Sequence, residues 1–170
     1  MTISELIKLI EQWAIDRGLD KSGTVEGQLI KTAEEVAELI IGISKDDIDV
    51  IKDSVGDVFV TLVVGNMLDN KHDFLMMLAK AQGRFKMNPE SKFRLTHFVV
   101  HWLYLLLSFG NYTEYESMGL LDCLFDVCGW YELDLADCVE SAYKEIADRK
   151  GKVINGTFWK SEDLEKWEEE

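Results

Sequence analysis

Proline is nearly missing from this 170-residue sequence; Pro89 is the only one. Proline is the main interrupter of helices, so long helical segments meet few obstacles. Cysteine is scarce too. Cys123, Cys128 and Cys138 are an odd number with no CxxC spacing, which argues against a disulfide framework or a zinc site and for buried thiols in a reducing cytoplasm. Positive charge is also short: 18 Lys and Arg against 32 Asp and Glu leave a net charge of -14. A field of that sign repels nucleic acid, and it requires a cation to mediate any contact with a phosphate. The start, MTISELIKLIEQW, has no basic leader and carries Glu5 and Glu11, unlike a signal peptide. The apolar run 98–109 is too short for a membrane span and is interrupted by His101, so it reads as a buried core helix.

What is present is apolar periodicity. Hydrophobic residues make up 47% of the chain, enough for a sizeable core. Helical spacing predicts helices over 2–17, 26–43 and 46–69, with a polar loop, LDKSGTVEG, after the first. Further helical segments are expected over 72–87, 91–109, 113–128 and 134–149. The piece RKGKVINGTFWK reads as a small hairpin or extended arm, and SEDLEKWEEE as a solvated helix or frayed tail. No internal repeat is visible. The expected fold is all-α, a helical bundle in one domain over 1–170, with an arm and tail over 150–170.

The chemistry concentrates in KTAEEVAEL and KDSVGD. Glu35 and Glu38 lie one helical turn apart on one face, and Asp53, Ser54 and Asp57 lie on one stripe of the next helix. The short SKDD connection makes these helices antiparallel, so the acidic faces converge. Glu35, Glu38, Asp53 and Asp57 are then a candidate metal site, and an all-oxygen donor set suits Mg²⁺ or Mn²⁺. Crowded carboxylates beside rows of Val, Ile and Leu are costly unless paired or metal-bound. Gly56 costs its helix roughly 1 kcal/mol relative to Ala, which points to close approach of another backbone or of a ligand. The plainer reading is a solvated acidic face. Lys31 reaches either a phosphate or Glu34 and Glu35. Arg149, Lys150 and Lys152 either bind phosphate or offset a helix C-terminus. Trp13 and Phe158 stack on a base or belong to the core.

At these residues the chain resembles the MazG-like family of all-α nucleoside triphosphate pyrophosphohydrolases. That family's signature is EExxE, a spacer, then ExxD. Glu34, Glu35 and Glu38 complete the first part, with Gln28 and Lys31 in matching places before it. Asp57 follows Gly56 as in the family's Gly-Asp pair, but the first acid of ExxD falls on Ser54, leaving Asp53 as its candidate replacement. The stretch YKEIADRKGKVINGTF resembles the C-terminal segment of phage and bacterial members. The resemblance covers roughly 20–65 and 132–158; about 70–130 reads as a helical insertion. It implies Mg²⁺-dependent hydrolysis (Mn²⁺ being the alternative ion) of an NTP or dNTP to a nucleoside monophosphate and pyrophosphate. Glu34 or Glu38 would be the proton acceptor, and Lys31, Arg149 and Lys150 the substrate-binding cations. It also implies a homodimer or higher oligomer in the cytoplasm of a bacterial cell or phage-infected host, with no nucleic-acid or membrane partner.

Two other readings compete. His72-Asp73 is an HD dipeptide, but the helical phosphohydrolase motif also needs an upstream His, and none precedes His72. His97 and His101, spaced i,i+4 on an apolar helix, read as core histidines because the Glu of a zinc protease is missing. The second reading is a catalytically weak or inactive acidic helical protein that binds a nucleotide or a protein partner.

Overall fold

The computed structural model describes residues 1–82 and 89–168, which are mostly helical with one small hairpin. The first helix, α1 (Ile3–Asp16), starts at a capping box: Thr2 accepts from the Glu5 N–H, and the Glu5 carboxylate reaches back to Thr2. Its stripe Leu6, Ile10 and Trp13 is buried. The polar stretch that follows is not all loop, because Leu19 is apolar and buries, drawing Leu19–Ser22 into a short helix, α2.

Thr24 caps α3 (Val25–Lys45), and Asp47 caps α4 (Ile48–Asp69). The expected start at 46 is corrected to Ile48. Asp46 adopts a left-handed conformation at φ 53° and closes α3, and only then does Asp47 open the next helix. This tight reversal makes α3 and α4 antiparallel and closely packed. The middle of the molecule is α4: Val55 through Asn66 is buried apart from Asp57, and α1, α3, α7 (Glu114–Trp130) and α8 (Leu135–Ala147) pack around it. Gly56 lets α8 approach; a Cβ there would stand 2.5 Å from the Cys138 carbonyl oxygen and 2.7 Å from Ala142 Cβ. Backbone approach is therefore the reason for this glycine.

Between 70 and 130 lie α5 (Phe74–Gln82), α6 (Lys92–Phe109) and α7 (Glu114–Trp130). The expected helix over 72–87 lies outside the described residues beyond 82. Here α6 and α5 pack on α7, and α6 also packs on α3. The expectation of a buried core helix at 98–109 is overturned, because only Val99 and Leu106 of that run are fully buried, while Val100, Tyr104, Leu107 and Phe109 are exposed. His97 and His101 are exposed as well, not core residues. Hydrophobicity alone does not say which side of a helix finds a neighbour.

The piece after α8 is a hairpin, β1 (Gly151–Ile154) paired antiparallel with β2 (Thr157–Lys160). Asn155 and Gly156, at φ 50° and 84°, make the two-residue turn, whose positive angles suit the right-handed twist of the strands. The tip docks on α3: Thr24 N–H donates to the Gly156 carbonyl at 3.0 Å, and a Cβ on Gly27 would meet that oxygen at 2.7 Å. The last helix is α9 (Ser161–Glu168). Cys123, Cys128 and Cys138 are free and buried. Among the described residues no helix is long and apolar enough to cross a membrane.

Candidate functional site

A cavity of about 390 Å³ opens between α1, α3, α4, the end of α8 and the hairpin. This is within the usual size of small-molecule sites. Its walls divide by chemistry. Trp13, Leu19, Val60, Val64, Ile146 and Phe158 form an apolar half. Trp13 is fixed by donation from its ring N–H to the Ile146 carbonyl at 2.8 Å and by an edge contact with Phe158 at 5.4 Å. The polar half holds Glu34, Glu35, Asp57 and Asp163 together with Lys31, Arg149 and Lys160. Gln28 and Thr61 lie between, with the Gln28 amide donating to the Thr61 carbonyl at 3.3 Å.

The acids occupy unequal environments. Glu35 is buried, and the Lys31 ammonium lies 2.7 Å from its Oε1 and 3.0 Å from the Oε2 of exposed Glu34. Lys31 therefore takes the salt-bridge role. Burial opposes its charge, but bonding to Glu35 and Glu34 outweighs burial and holds its pKa above the usual lysine value. Asp57 has been pushed from the ordinary 3.8 to about 7, first by burial and then by the charges of Glu35, Asp53 and Glu145, with Arg149 in opposition. Glu38 and Asp53 lie outside the cavity walls but within its field. Burial and then Glu35 raise the Glu38 pKa; burial, then Glu145 and Glu35, raise that of Asp53. The two acidic faces thus act on one another across α3 and α4.

As they stand, no group of three His, Cys, Asp or Glu side chains among the described residues could hold a metal ion. Lys31 already engages Glu35, and Ser54, which sits where the signature places an acid, is buried. The donor chemistry nevertheless fits a hard cation: four carboxylates, three of them with pKa values raised first by burial and then by neighbouring acids, would gain by sharing a positive ion. Closing such a site requires side-chain rotation, with Glu35 turning from Lys31.

The basic residues divide as well. Arg149 lines the cavity and pairs with Glu145 at 2.5 Å. Exposed Lys150 is one residue outside it, on a neighbouring depression shared with Asp148 and Glu162. Lys152 is exposed on β1. Sequence reasoning passed over Glu145 and Lys160. Glu145 looks like any acid on a helix surface, and Lys160 reaches the cavity only because β2 folds back; Lys160 also lowers the Asp53 pKa.

No protein-family model matches the chain, and no solved structure matches it. It is similar to an uncharacterized 18.2 kDa protein in the rep-hol intergenic region of Haemophilus phage HP1 (strain HP1c1), with 52% identity over 62 residues. That stretch is 36% of this chain and 38% of the relative, so the match covers well under half the length of either protein.

Proposed function

We propose that this protein is a MazG-like pyrophosphohydrolase, cleaving a nucleoside triphosphate to the monophosphate and pyrophosphate with Mg²⁺, or with Mn²⁺ in its place. The observation that carries this reading is the division of one cavity into an aromatic, apolar half and a half where four carboxylates face three cations. A base fits the first, against Trp13 and Phe158, and a phosphate chain fits the second.

Glu35, Glu38 and Asp57, with Asp53 replacing the acid lost at Ser54, would hold the cation; when bound, it offsets phosphate charge and acidifies water. Lys31, released from Glu35, binds a phosphate oxygen. Arg149 and Lys160 bind the departing pyrophosphate from the hairpin side, and Lys150 lies close enough to add charge at the rim. Glu34, exposed at the cavity mouth, or Glu38 accepts the proton of the attacking water. The apolar wall limits bulk water around the reacting phosphate.

The test is a panel of NTPs and dNTPs with Mg²⁺ or Mn²⁺, assayed separately for pyrophosphate and orthophosphate, beside Glu38→Gln and Asp57→Asn. Pyrophosphate release that both substitutions abolish is the expected result. Orthophosphate alone would overturn the assigned bond. A second reading, nucleotide binding with little or no turnover, is favoured by the Lys31 bridge to Glu35 and by buried Ser54. It predicts nucleotide binding with neither product.

A further inference from the structure

We propose that the outer face of α6 is a pairing surface for a second copy of this chain, which docks through its own α6 in antiparallel orientation. Phe93, His97, Val100, Tyr104 and Leu107 follow one another at intervals of four, three, four and three, and all are exposed, Phe93 at 75% and Tyr104 at 66%. The other side of α6 is already satisfied by burial of Leu95, Val99 and Leu106 against the body. Alternating intervals of four and three are the spacing of a helix seam that faces another helix. The row differs from a random scatter of exposed apolar groups, which would carry no period.

A second copy fits this face for three reasons. The row is self-complementary. About a twofold axis level with residue 102, Val100 of one copy stands opposite Tyr104 of the other, so small meets large there, and His97 stands opposite Leu107. The face also suits the charge. A chain of net charge -14 repels its own copies, yet the 18 residues of α6 include no acid. Antiparallel pairing further sets the N-terminal end of each α6, with Arg94, beside the electronegative C-terminal end of the other. Finally, the area suffices. A helix of this length runs about 27 Å, and two such apolar rows bury on the order of 1,000 Å², the lower bound for a specific interface. Among the described residues nothing else covers the row.

The proposal is independent of the nucleotide chemistry, and its test involves none. Light scattering behind size exclusion, over a hundredfold range of concentration, should give a mass of twice the 19.5 kDa chain at the upper end. Tyr104→Glu and Val100→Lys should each weaken the dimer at least tenfold, with unchanged far-UV circular dichroism, and with the parent's melting temperature at concentrations low enough for every protein to be monomeric, because both positions are exposed. Mixing the two variants should restore a dimer, since in antiparallel register the new lysine of one copy faces the new glutamate of the other. A parent that stays monomeric throughout, or variants that dimerise like the parent, would overturn the interface. Failure of the mixture to recover would overturn the antiparallel register.

Discussion

Asp57 sits at the most demanding position of the site, and its chemistry gives a prediction with a definite sign. Because the fold lifts its carboxyl to about 7 from 3.8, the folded chain holds this proton more tightly than the unfolded chain does. That contribution to stability is complete below about pH 4 and is lost as pH rises through about 7. Without metal, Asp57→Asn should therefore match the parent near pH 4 and exceed it at pH 8. The margin should be about 2 kcal/mol, allowing for partial exposure of the carboxyl. Thermal melts in chelator across this range check it, and Mg²⁺ should raise the parent's melting temperature but not the variant's. Lys31 is the complementary case. Lys31→Met leaves Glu35 buried without its partner and should cost about 2–3 kcal/mol in chelator. If Glu35 belongs to a metal site, added Mg²⁺ should then recover more stability in this variant than in the parent. Equal metal responses in melts of the two proteins would separate Glu35 from the ion. The opposing roles open to Lys31 were both legible in the sequence. The choice between them in this state required the 2.7 Å contact with Glu35.

At the scale of elements, the site depends on how closely α8 and the hairpin approach α3 and α4. Gly56→Ala gains roughly 1 kcal/mol of helix propensity. Against this, its methyl would press on the Cys138 carbonyl and on Ala142, backbone and near-backbone atoms that cannot turn aside. The clash should win, giving net destabilisation of about 1–3 kcal/mol, measured by urea denaturation. Since α8 leads into Arg149 and carries Glu145, turnover should fall further than stability alone explains. The hairpin gives a cleaner separation. Gly156 combines a φ of 84° with a Cβ position 2.2 Å from Thr24 Oγ1. Gly156→Val should free the hairpin tip from α3 and weaken nucleotide binding at least tenfold by calorimetry. The melting temperature should change less than in Gly56→Ala, because the hairpin adds little to the central core. A hairpin was one of the two readings the sequence left open for RKGKVINGTFWK. Its docking on Thr24 and Gly27 was not legible, because those residues lie more than a hundred positions away along the chain.

At the scale of the whole molecule, the excess of 14 negative charges governs both stability and association. Screening this self-repulsion should raise the melting temperature by a few degrees between low and physiological ionic strength, in contrast to the loss expected of a fold dependent on surface ion pairs. Differential scanning fluorimetry in a salt series distinguishes the two. The long apolar run at 98–109 shows where composition misleads at this scale. It was apolar enough for the interior, but α3 and α7 cover only one side of α6.

Local interactions determined what the sequence alone made legible: the helical class, the antiparallel turn at SKDD, and the shared face of Glu35 and Glu38. Each depends on residues within about one helical turn of one another. Tertiary structure alone decided that Glu145 joins the field around Asp57 and Lys160 that around Asp53, that Lys31 bridges Glu35, that Gly56 serves contact with α8, and that half of α6 faces outward. These outcomes depend on the distances and burial set when remote segments pack, and no local spacing encodes them.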